Sequence, residues 1–353
     1  MAIRIRWFIA CIVSAVLALS GPVNGVLAEA SEGEQICISR AEGDDDIDIY
    51  IAQWCEGKKL EYVNPEDLEA EAEANQFALA VGMGGRVFKG RVTNQGTMDA
   101  TANSGNVAVA AGMGFLGSRN RVVNEGELAV SAEGQQLAAA LGMGTLGSFS
   151  HVRNEGYLAV EATIAEDEQS ELGALAIQHP DVLDGGVAGA VGMAVVGFGN
   201  RATNSGHLDV TASGGDLAAA AGMVGLGGWN QLINTNKAEN GDDSGALHVE
   251  AVGTIAAGLG MGFIGDRTKA VNDGEIAVYS EGDELGIAIG MAGIGKKSRL
   301  ENTRDEDKLA GLEVVASGDV AVGLGMGVVG RRNVVDNEGV VVTGADANRL
   351  GIA

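Results

Sequence analysis

Short acidic clusters are the first residues of this sequence that could do chemistry. Three fall within the segments 163–184, 236–244 and 303–309, and a fourth is Asp44–Asp46. Carboxylate oxygens are the preferred ligands of Ca²⁺, and paired carboxyl groups cleave glycosidic bonds. Charge runs are more often solvated loops, and the glycine-rich Ca²⁺ motif of β-roll proteins is missing. The sequence therefore predicts no cofactor, with weak Ca²⁺ binding as the alternative.

Other patterns that could support catalysis or nucleotide binding are incomplete. None of the four histidines lies at metal-binding spacing from another, and neither Cys37 nor Cys55 is close to a histidine in the sequence. Four matches to Gly-x-Gly-x-x-Gly, such as Gly112–Gly117, are followed by no helical pattern. A dinucleotide site needs a strand before this motif and a helix after it, so the matches indicate turns. The sequence predicts a protein that is not an enzyme.

Composition narrows the function further. The 353 residues include 48 Asp and Glu against 23 Lys and Arg, for a net charge of −25, which argues against nucleic acid as a partner. There are 7 Phe, 4 Tyr and 3 Trp, few enough to disfavour a groove that stacks sugars or bases. The 56 Gly, 3 Pro and 46% hydrophobic residues indicate a chain with a buried core rather than a collagen-like or disordered one.

The N-terminus has the pattern of a signal peptide over residues 1–30. Arg4 and Arg6 precede an apolar run from Trp7 to Leu19, and Ala28-Glu29-Ala30 provides a small-x-small cleavage site. No later apolar stretch is long enough to cross a bilayer, so no transmembrane segment is expected after the signal is removed. The sequence thus predicts export to the periplasm, the cell surface or the extracellular space.

The elements that would position any site come from a repeat of 30 residues. Gly-Met pairs recur along the chain, and an Asn follows each Met by eleven residues. Insertions near 163–184, 236–244 and 303–309 lengthen three of the repeats. With one further copy in the same register, the Asn column comprises Asn64, Asn94, Asn124, Asn154, Asn204, Asn234, Asn272, Asn302 and Asn337.

Each repeat alternates with a period of two and therefore contains β-strands. Several short strands in each repeat, with insertions at one corner, predict an all-β fold: a parallel β-solenoid, or right-handed β-helix, of about ten coils over residues 65–353. An Asn at an inward position must have its amide satisfied, so we expect the stacked amides to form a structural ladder. In the first strand, positions such as Leu137, Ala139 and Leu141 are expected to point inward.

The opposite parity of that first strand carries Ala or Gly in every repeat. A surface with no side chain beyond a methyl allows close approach by another layer. We expect it to pack either against a second copy of the protein or against an adjacent segment of the same fold, with a bare exposed face as the alternative. This Ala/Gly face comprises Ala78, Ala80, Ala108, Ala110, Ala138, Ala140, Ala188, Ala190, Ala218, Ala220, Ala256, Gly258, Gly286, Ala288, Ala321 and Gly323.

Residues 31–64 form a modified first coil in this scheme. Ile47–Ile51 alternates like a strand, and Asn64 takes its place in the Asn column, although Asn64-Pro65-Glu66 also resembles the start of a helix. Cys37 and Cys55 are the two cysteines that follow the signal peptide, and a pair in an oxidising compartment predicts a disulfide. The disulfide would staple this coil as a cap on one end of the solenoid.

The string Asn-x-Gly-x-Leu-x-Val-x-Ala, at Asn124–Ala132 and Asn154–Ala162, resembles the β-helix passenger repeats of bacterial autotransporters of the type V secretion pathway. The resemblance covers nearly all of residues 64–353 and implies an adhesin, an aggregation factor or a stalk. The sequence departs from the family pattern in lacking the C-terminal membrane barrel that exports such passengers.

These observations predict a non-enzymatic, exported surface or extracellular protein of structural or adhesin-like function. It would self-associate into a homo-oligomer or fibre, through the Ala/Gly face or through an open C-terminal coil. Cell-surface glycans or proteins are further candidate partners. The alternative is a carbohydrate-binding or carbohydrate-cleaving β-helix that uses the acidic inserted loops.

Overall fold

The computed structural model describes residues 36–165, 186–235, 246–303 and 311–353, with side chains from residue 43 onward. The predicted signal peptide and nearly all of the three predicted insertions lie outside these ranges. The described residues form strands and turns. None of the described segments is a helix of the length and apolarity needed to cross a membrane.

Each coil contributes strands to three columns, preceded by β1 (Ile36–Gly43). The first column contains β2 (Ile47–Lys58), β5 (Phe77–Phe88), β8 (Val107–Leu116), β11 (Leu137–Leu146), β14 (Val187–Val196) and β17 (Leu217–Leu226). The second contains β3 (Glu61–Asn64), β6 (Arg91–Asn94), β9 (Arg121–Asn124), β12 (His151–Asn154), β15 (Arg201–Asn204), β18 (Gln231–Thr235), β20 (Lys269–Asp273), β22 (Arg299–Asn302) and β24 (Val334–Asn337). The third contains β4 (Leu68–Ala74), β7 (Thr97–Ser104), β10 (Glu127–Gly134), β13 (Tyr157–Ile164) and β16 (His207–Ser213).

In the later coils, a third-column strand runs into the first-column strand of the next coil without a break. These long strands are β19 (Ala246–Ile264), β21 (Glu275–Lys296), β23 (Gly311–Arg331) and β25 (Val340–Ile352). Successive coils stack in parallel and in register, so Met113 pairs with Met83 on one side and Met143 on the other. The prediction of a parallel β-solenoid is confirmed, and ten strands in the first column agree with about ten coils.

The first strand faces the opposite way from the prediction. The residues predicted to form an outer Ala/Gly face all lie in the core: Ala78, Ala80, Ala108, Ala110, Ala138, Ala140, Ala188, Ala190, Ala218, Ala220, Ala256, Gly258, Gly286, Ala288, Ala321 and Gly323. The larger Leu137 and Leu141 lie on the other side of the strand, outside the main core. The prediction that the Ala/Gly face contacts a second copy of the protein is therefore wrong.

Close packing between the first and third columns explains this inversion. A Cβ added to Gly112 would lie 2.8 Å from Leu128 Cδ1 and 2.7 Å from the carbonyl oxygen of Gly142. Large core side chains of the third column, such as Leu128 and Val130, pack against the Ala and Gly positions of the facing strand, which therefore have room for no more than a methyl group, although Met113 further along that strand is itself fully buried in the core. An adjacent segment of the same chain covers this face, which was one of the two occupants that the sequence allowed.

The N-terminal end of the stack is covered by an antiparallel strand. β1 pairs with β2, whose other edge pairs in parallel with β5. At the hairpin between them, Asp44 Oδ1 accepts hydrogen bonds from the backbone N–H groups of Asp46 (3.0 Å) and Ile47 (2.9 Å). Asn64 ends strand β3, so the alternative of a helix beginning at Asn64 is wrong.

A left-handed turn joins the first column to the second in each of nine coils. The residue six positions after the Met of each repeat, or after Gln53, which pairs with Met83, in the first coil, has a φ of 57° to 69°. All but one of these residues are not glycine: Lys59, Lys89, Arg119, Phe149, Gly199, Trp229, Arg267, Lys297 and Arg332. This conformation costs a non-glycine residue about 1–2 kcal/mol. Its recurrence shows that stacking imposes the same turn on every coil.

Candidate functional site

The nine asparagines of the predicted ladder form one continuous row. In eight successive hydrogen bonds of 2.8–2.9 Å, each Nδ2 donates to the Oδ1 of the Asn in the next coil. The second N–H of an amide reaches a turn carbonyl, as Asn94 Nδ2 does to Gly96 O at 3.0 Å. The row is buried from Asn64 to Asn302, and Asn337 at its end is exposed. These side chains are engaged in holding the coils together.

A second polar column, which the sequence analysis missed, lies at the left-handed turn. Its side-chain oxygens accept backbone N–H groups from the preceding coil at 2.8–3.2 Å. The acceptors are Asn120, Ser150, Asn200, Asn230, Ser298 and Asn333. These hydrogen bonds stabilise the turn by satisfying its buried N–H groups. The turn directs outward the residue that precedes each acceptor.

The acidic candidates do not converge within the described residues. Asp44 shapes the β-hairpin turn, and no group of three His, Cys, Asp or Glu in the described part of the chain could hold a metal ion. The acidic residues of the insertions, and His179, lie outside the described ranges. Weak Ca²⁺ binding by those loops stays a prediction.

Positive charge is instead concentrated at one corner of the solenoid. Sixteen of the 23 Lys and Arg residues lie at the ends of first-column strands, in the left-handed turns or in second-column strands. This basic corner comprises Lys58, Lys59, Arg86, Lys89, Arg91, Arg119, Arg121, Arg153, Arg201, Arg267, Lys269, Lys296, Lys297, Arg299, Arg331 and Arg332. A strongly acidic protein thus presents a cationic edge, which the net charge conceals.

Three aromatic side chains interrupt the cations in the middle of that corner. The ring centroids of Phe149 and Phe198 are 5.8 Å apart, as are those of Phe198 and Trp229, and the Arg267 guanidinium lies 4.7 Å from the Trp229 ring. Their exposed fractions are 58%, 44% and 50%. Gly199 makes room for the strip, because a Cβ there would lie 2.9 Å from the Phe149 ring. We call Phe149, Phe198 and Trp229 the aromatic strip.

Beside the aromatic strip, a groove of about 560 Å³ runs along the outer face of the second column. One end is lined by His151, Arg153 and Arg201, and the floor includes Ile233 and Val271. The other end is lined by hydroxyl groups and one carboxylate: Thr235 Oγ1 lies 3.5 Å, and Thr303 Oγ1 3.1 Å, from Asp273 carboxylate oxygens. The groove therefore has a cationic end, an apolar floor and an acidic, hydroxyl-lined end.

Burial and the neighbouring arginine charges keep His151 neutral. Burial is the largest cause, and the charges of Arg201, Arg121 and Arg153 add to it, so that the pKa of His151 falls to about 4 from the usual 6.5. Thr203 Oγ1 accepts a hydrogen bond from Arg201 Nε at 3.3 Å and lies 3.3 Å from His151 Nε2. A neutral imidazole and a hydroxyl group thus accompany the arginines.

Other histidines have local partners outside the groove. His207 Nε2 lies 2.9 Å from Asp209 Oδ2 and its ring stacks on Tyr157 at 5.3 Å, and His248 lies beside Tyr279.

The groove was not predicted because the repeat was defined by its recurring Met and Asn residues. A sequence signal for the groove was present five to eight residues after each Met, where basic or aromatic residues recur.

Comparison with protein-family models, curated proteins and solved structures finds no match to this chain.

Proposed function

We propose that this protein is a non-enzymatic, exported rod of structural or adhesin-like function that self-associates through the face of the coil formed by residues 331–353. The observation that carries the proposal is the exposure of positions that are core elsewhere. Val335 is 47% exposed, whereas its equivalents Val122, Val152 and Leu232 are fully buried. Asn337 is likewise the exposed member of an otherwise buried row. An exposed strand edge beside apolar side chains favours pairing with another chain.

Charge also favours contact at this face. Residues 331–353 contain three cations, Arg331, Arg332 and Arg349, and three acids, Asp336, Glu338 and Asp346, for a net charge of zero. The whole chain carries −25, so two copies that met elsewhere would repel each other more strongly. Because β1 pairs along the edge of β2 at the other end of the described coils, the proposed contact joins the 331–353 coils of two copies around a two-fold axis.

The test is the solution mass of the oxidised protein from residue 31, measured by light scattering after size exclusion over a range of concentrations. We expect a dimer that Val335→Asp converts to a monomer with the same circular dichroism spectrum. Val63→Asp is the matched control, since Val63 is exposed on the first coil, and it should leave the dimer intact. A monomer at every concentration, or a Val335→Asp dimer, would overturn the proposal.

The proposed cap at the other end includes a Cys37–Cys55 disulfide. Two observations support it: Cys37 and Cys55 are directly opposite in the antiparallel β1–β2 pair, and Cys55 is buried. Reduction should lower the free energy of unfolding by about 3 kcal/mol. The measurement is urea unfolding with and without reductant, with Cys37→Ser as the comparison. Equal stability of the oxidised and reduced protein would contradict the disulfide.

The resemblance to autotransporter passenger repeats supports export and an adhesin-like role, because such passengers are displayed outside the cell. N-terminal sequencing of the protein recovered from an exporting host tests the export step, with Ser31 expected near the new N-terminus. Recovery of the uncleaved chain from the cytoplasm would contradict it. The alternative function, carbohydrate binding, gains support from the groove rather than from the acidic loops.

A further inference from the structure

We propose that the groove and the aromatic strip together bind an acidic oligosaccharide, independently of self-association. Both features lie on the same coils. Phe149 precedes the groove residue His151 by two residues, and Trp229 precedes the groove residue Ile233 by four, so the two rings stand about 7 Å and about 13 Å along the backbone from the groove. From β12 to β22 the groove crosses four strand spacings, about 19 Å, which suits a short extended chain.

The aromatic strip provides apolar faces for sugar rings. Three large rings, each about half exposed, form a contiguous apolar surface within the basic corner, and exposed contiguous apolar patches mark binding sites. The C–H faces of pyranose rings stack on aromatic side chains, with Trp229 the largest platform. The Arg267 guanidinium lies over the Trp229 ring and restrains it, so that less conformational freedom is lost on binding.

The cationic end selects an acidic sugar. Arg121, His151 and Arg201 are register partners on three adjacent strands, and Arg153 lies two residues further along the same face. Arg153 is paired with Glu155 at 2.7 Å, whereas no ion pair within the described residues involves Arg121 or Arg201. Guanidinium groups bind carboxylates through paired, charge-assisted hydrogen bonds. A carboxylate on the ligand would find its partner at Arg201.

The opposite end gives the site direction. Asp273 can accept hydrogen bonds from sugar hydroxyl groups, and the hydroxyl groups of Thr235 and Thr303 beside it can donate and accept them. The charge of Asp273 would repel a second carboxylate. Ile233 and Val271 supply the apolar floor between the two ends. We therefore expect an oligosaccharide with its carboxylate over Arg201 and neutral rings toward Asp273.

The groove is less suited to peptides or nucleic acids. It lies on the face of the second-column sheet, where the backbone groups of β12, β15 and β18 already pair with their neighbours, so a peptide finds no strand edge to extend. A long polyanion such as nucleic acid would meet the repulsion of a chain with a net charge of −25. A short ligand with its charge at one end avoids both problems.

The experiment is isothermal titration of the full chain with oligosaccharides that carry a single carboxylate at one end: a neutral oligosaccharide ending in one glucuronate, one ending in one galacturonate, and one ending in one sialic acid, each compared with a neutral oligosaccharide of equal length. We expect saturable binding of at least one acidic ligand, weaker at high salt. Arg201→Gln should weaken that binding about tenfold and leave neutral ligands unaffected. Trp229→Ala should weaken acidic and neutral ligands alike.

Matched controls are Arg332→Gln and Phe88→Ala, which alter an exposed arginine and an exposed aromatic ring of the same corner away from the groove. Neither should change the affinity. Absence of saturable binding by all three acidic ligands, equal losses in the controls, or tighter binding of an acidic peptide of similar length would overturn the proposal. Light scattering of the same variants reports on self-association separately.

Discussion

Asn154 and Asn204 are 50 residues apart in the sequence, and Asn154 Nδ2 donates a 2.9 Å hydrogen bond to Asn204 Oδ1. The same bond joins Asn124 to Asn154, which are 30 residues apart. Backbone pairing of β12 with β15 is in register through all four residues. An insertion of 20 residues is therefore absorbed at a single corner, and the stack continues as though it were absent. The ladder sets the register from coil to coil.

Removing one rung of the ladder should destabilise the protein strongly. In Asn154→Ala, Asn124 Nδ2 loses an acceptor and Asn204 Oδ1 loses a donor, both in buried positions. We expect the free energy of unfolding to fall by about 2–4 kcal/mol, measured by urea denaturation. Asn337→Ala, at the exposed end of the row, should cost less than about 1 kcal/mol. Equal losses at the two positions would mean that the ladder adds little.

Gly112, which precedes Met113, should tolerate no side chain, whereas Gly114, which follows Met113, should tolerate one. In Gly112→Ala, the new methyl would collide with Gly142 O and Leu128 Cδ1, and we expect a loss of about 3 kcal/mol. In Gly114→Ala, the methyl would meet no atom within 4 Å, and stability should stay unchanged or rise by up to about 1 kcal/mol. Thermal unfolding of the two variants checks this, and similar melting temperatures would contradict the inward packing of the Ala/Gly face.

The left-handed turn should favour glycine at its strained position. Lys297 has a φ of 58°, so Lys297→Gly relieves a steric cost that exceeds the added freedom of the unfolded chain. We expect stability to rise by about 0.5–1 kcal/mol in urea denaturation. The control is Lys296→Gly, one residue earlier at the end of β21, which should lower stability by a similar amount. A loss in both variants would show that the lysine side chains, rather than the backbone, matter here.

His151 should make stability depend on pH. Its pKa of about 4 in the folded protein lies below the usual 6.5, so between these values the unfolded chain binds a proton that the folded chain does not. The contribution of His151 is therefore complete above pH 6.5 and is lost as the pH falls toward 4.

Urea midpoints at pH 7 and pH 4.5 for the protein and for His151→Gln test this dependence. The variant should lose less stability on acidification. Gln231→Asn, which alters an exposed neutral side chain on the same second-column sheet, is the control and should decline as the unmodified protein does. An unchanged decline in His151→Gln would contradict the assignment.

Periodicity made the stacking predictable. A residue type that recurs every 30 positions, such as the Asn column, must occupy equivalent places in successive coils, and a buried amide at each place must bond to its neighbours. The order of strands and the tolerance of insertions follow from this. Which side of a strand is turned toward the core depends on the side chains of that strand. The first strand is apolar on both sides, with Val and Leu on one side and Ala and Gly on the other. Alternation could not show which side faces inward.

Composition misdirected the search for a site because it averages over the chain. A net charge of −25 conceals the basic corner, and 14 aromatic residues in 353 conceal three that meet in one strip. Phe149, Phe198 and Trp229 lie in three successive coils, and two of those coils are separated by an insertion. Stacking at about 4.8 Å brings their rings together.

The sequence by itself determined the solenoid, its register and its Asn ladder, because each is a consequence of one repeated pattern that every coil must satisfy. The tertiary structure decided which strand face is buried and where a ligand could bind. The buried face depends on the distance between two columns, which leaves room at Gly112 for no side chain. The place of the proposed ligand site depends on a left-handed turn that directs Phe149 and Trp229 outward beside Arg201. Distances between columns and the directions of side chains at a turn arise only when the coils stack.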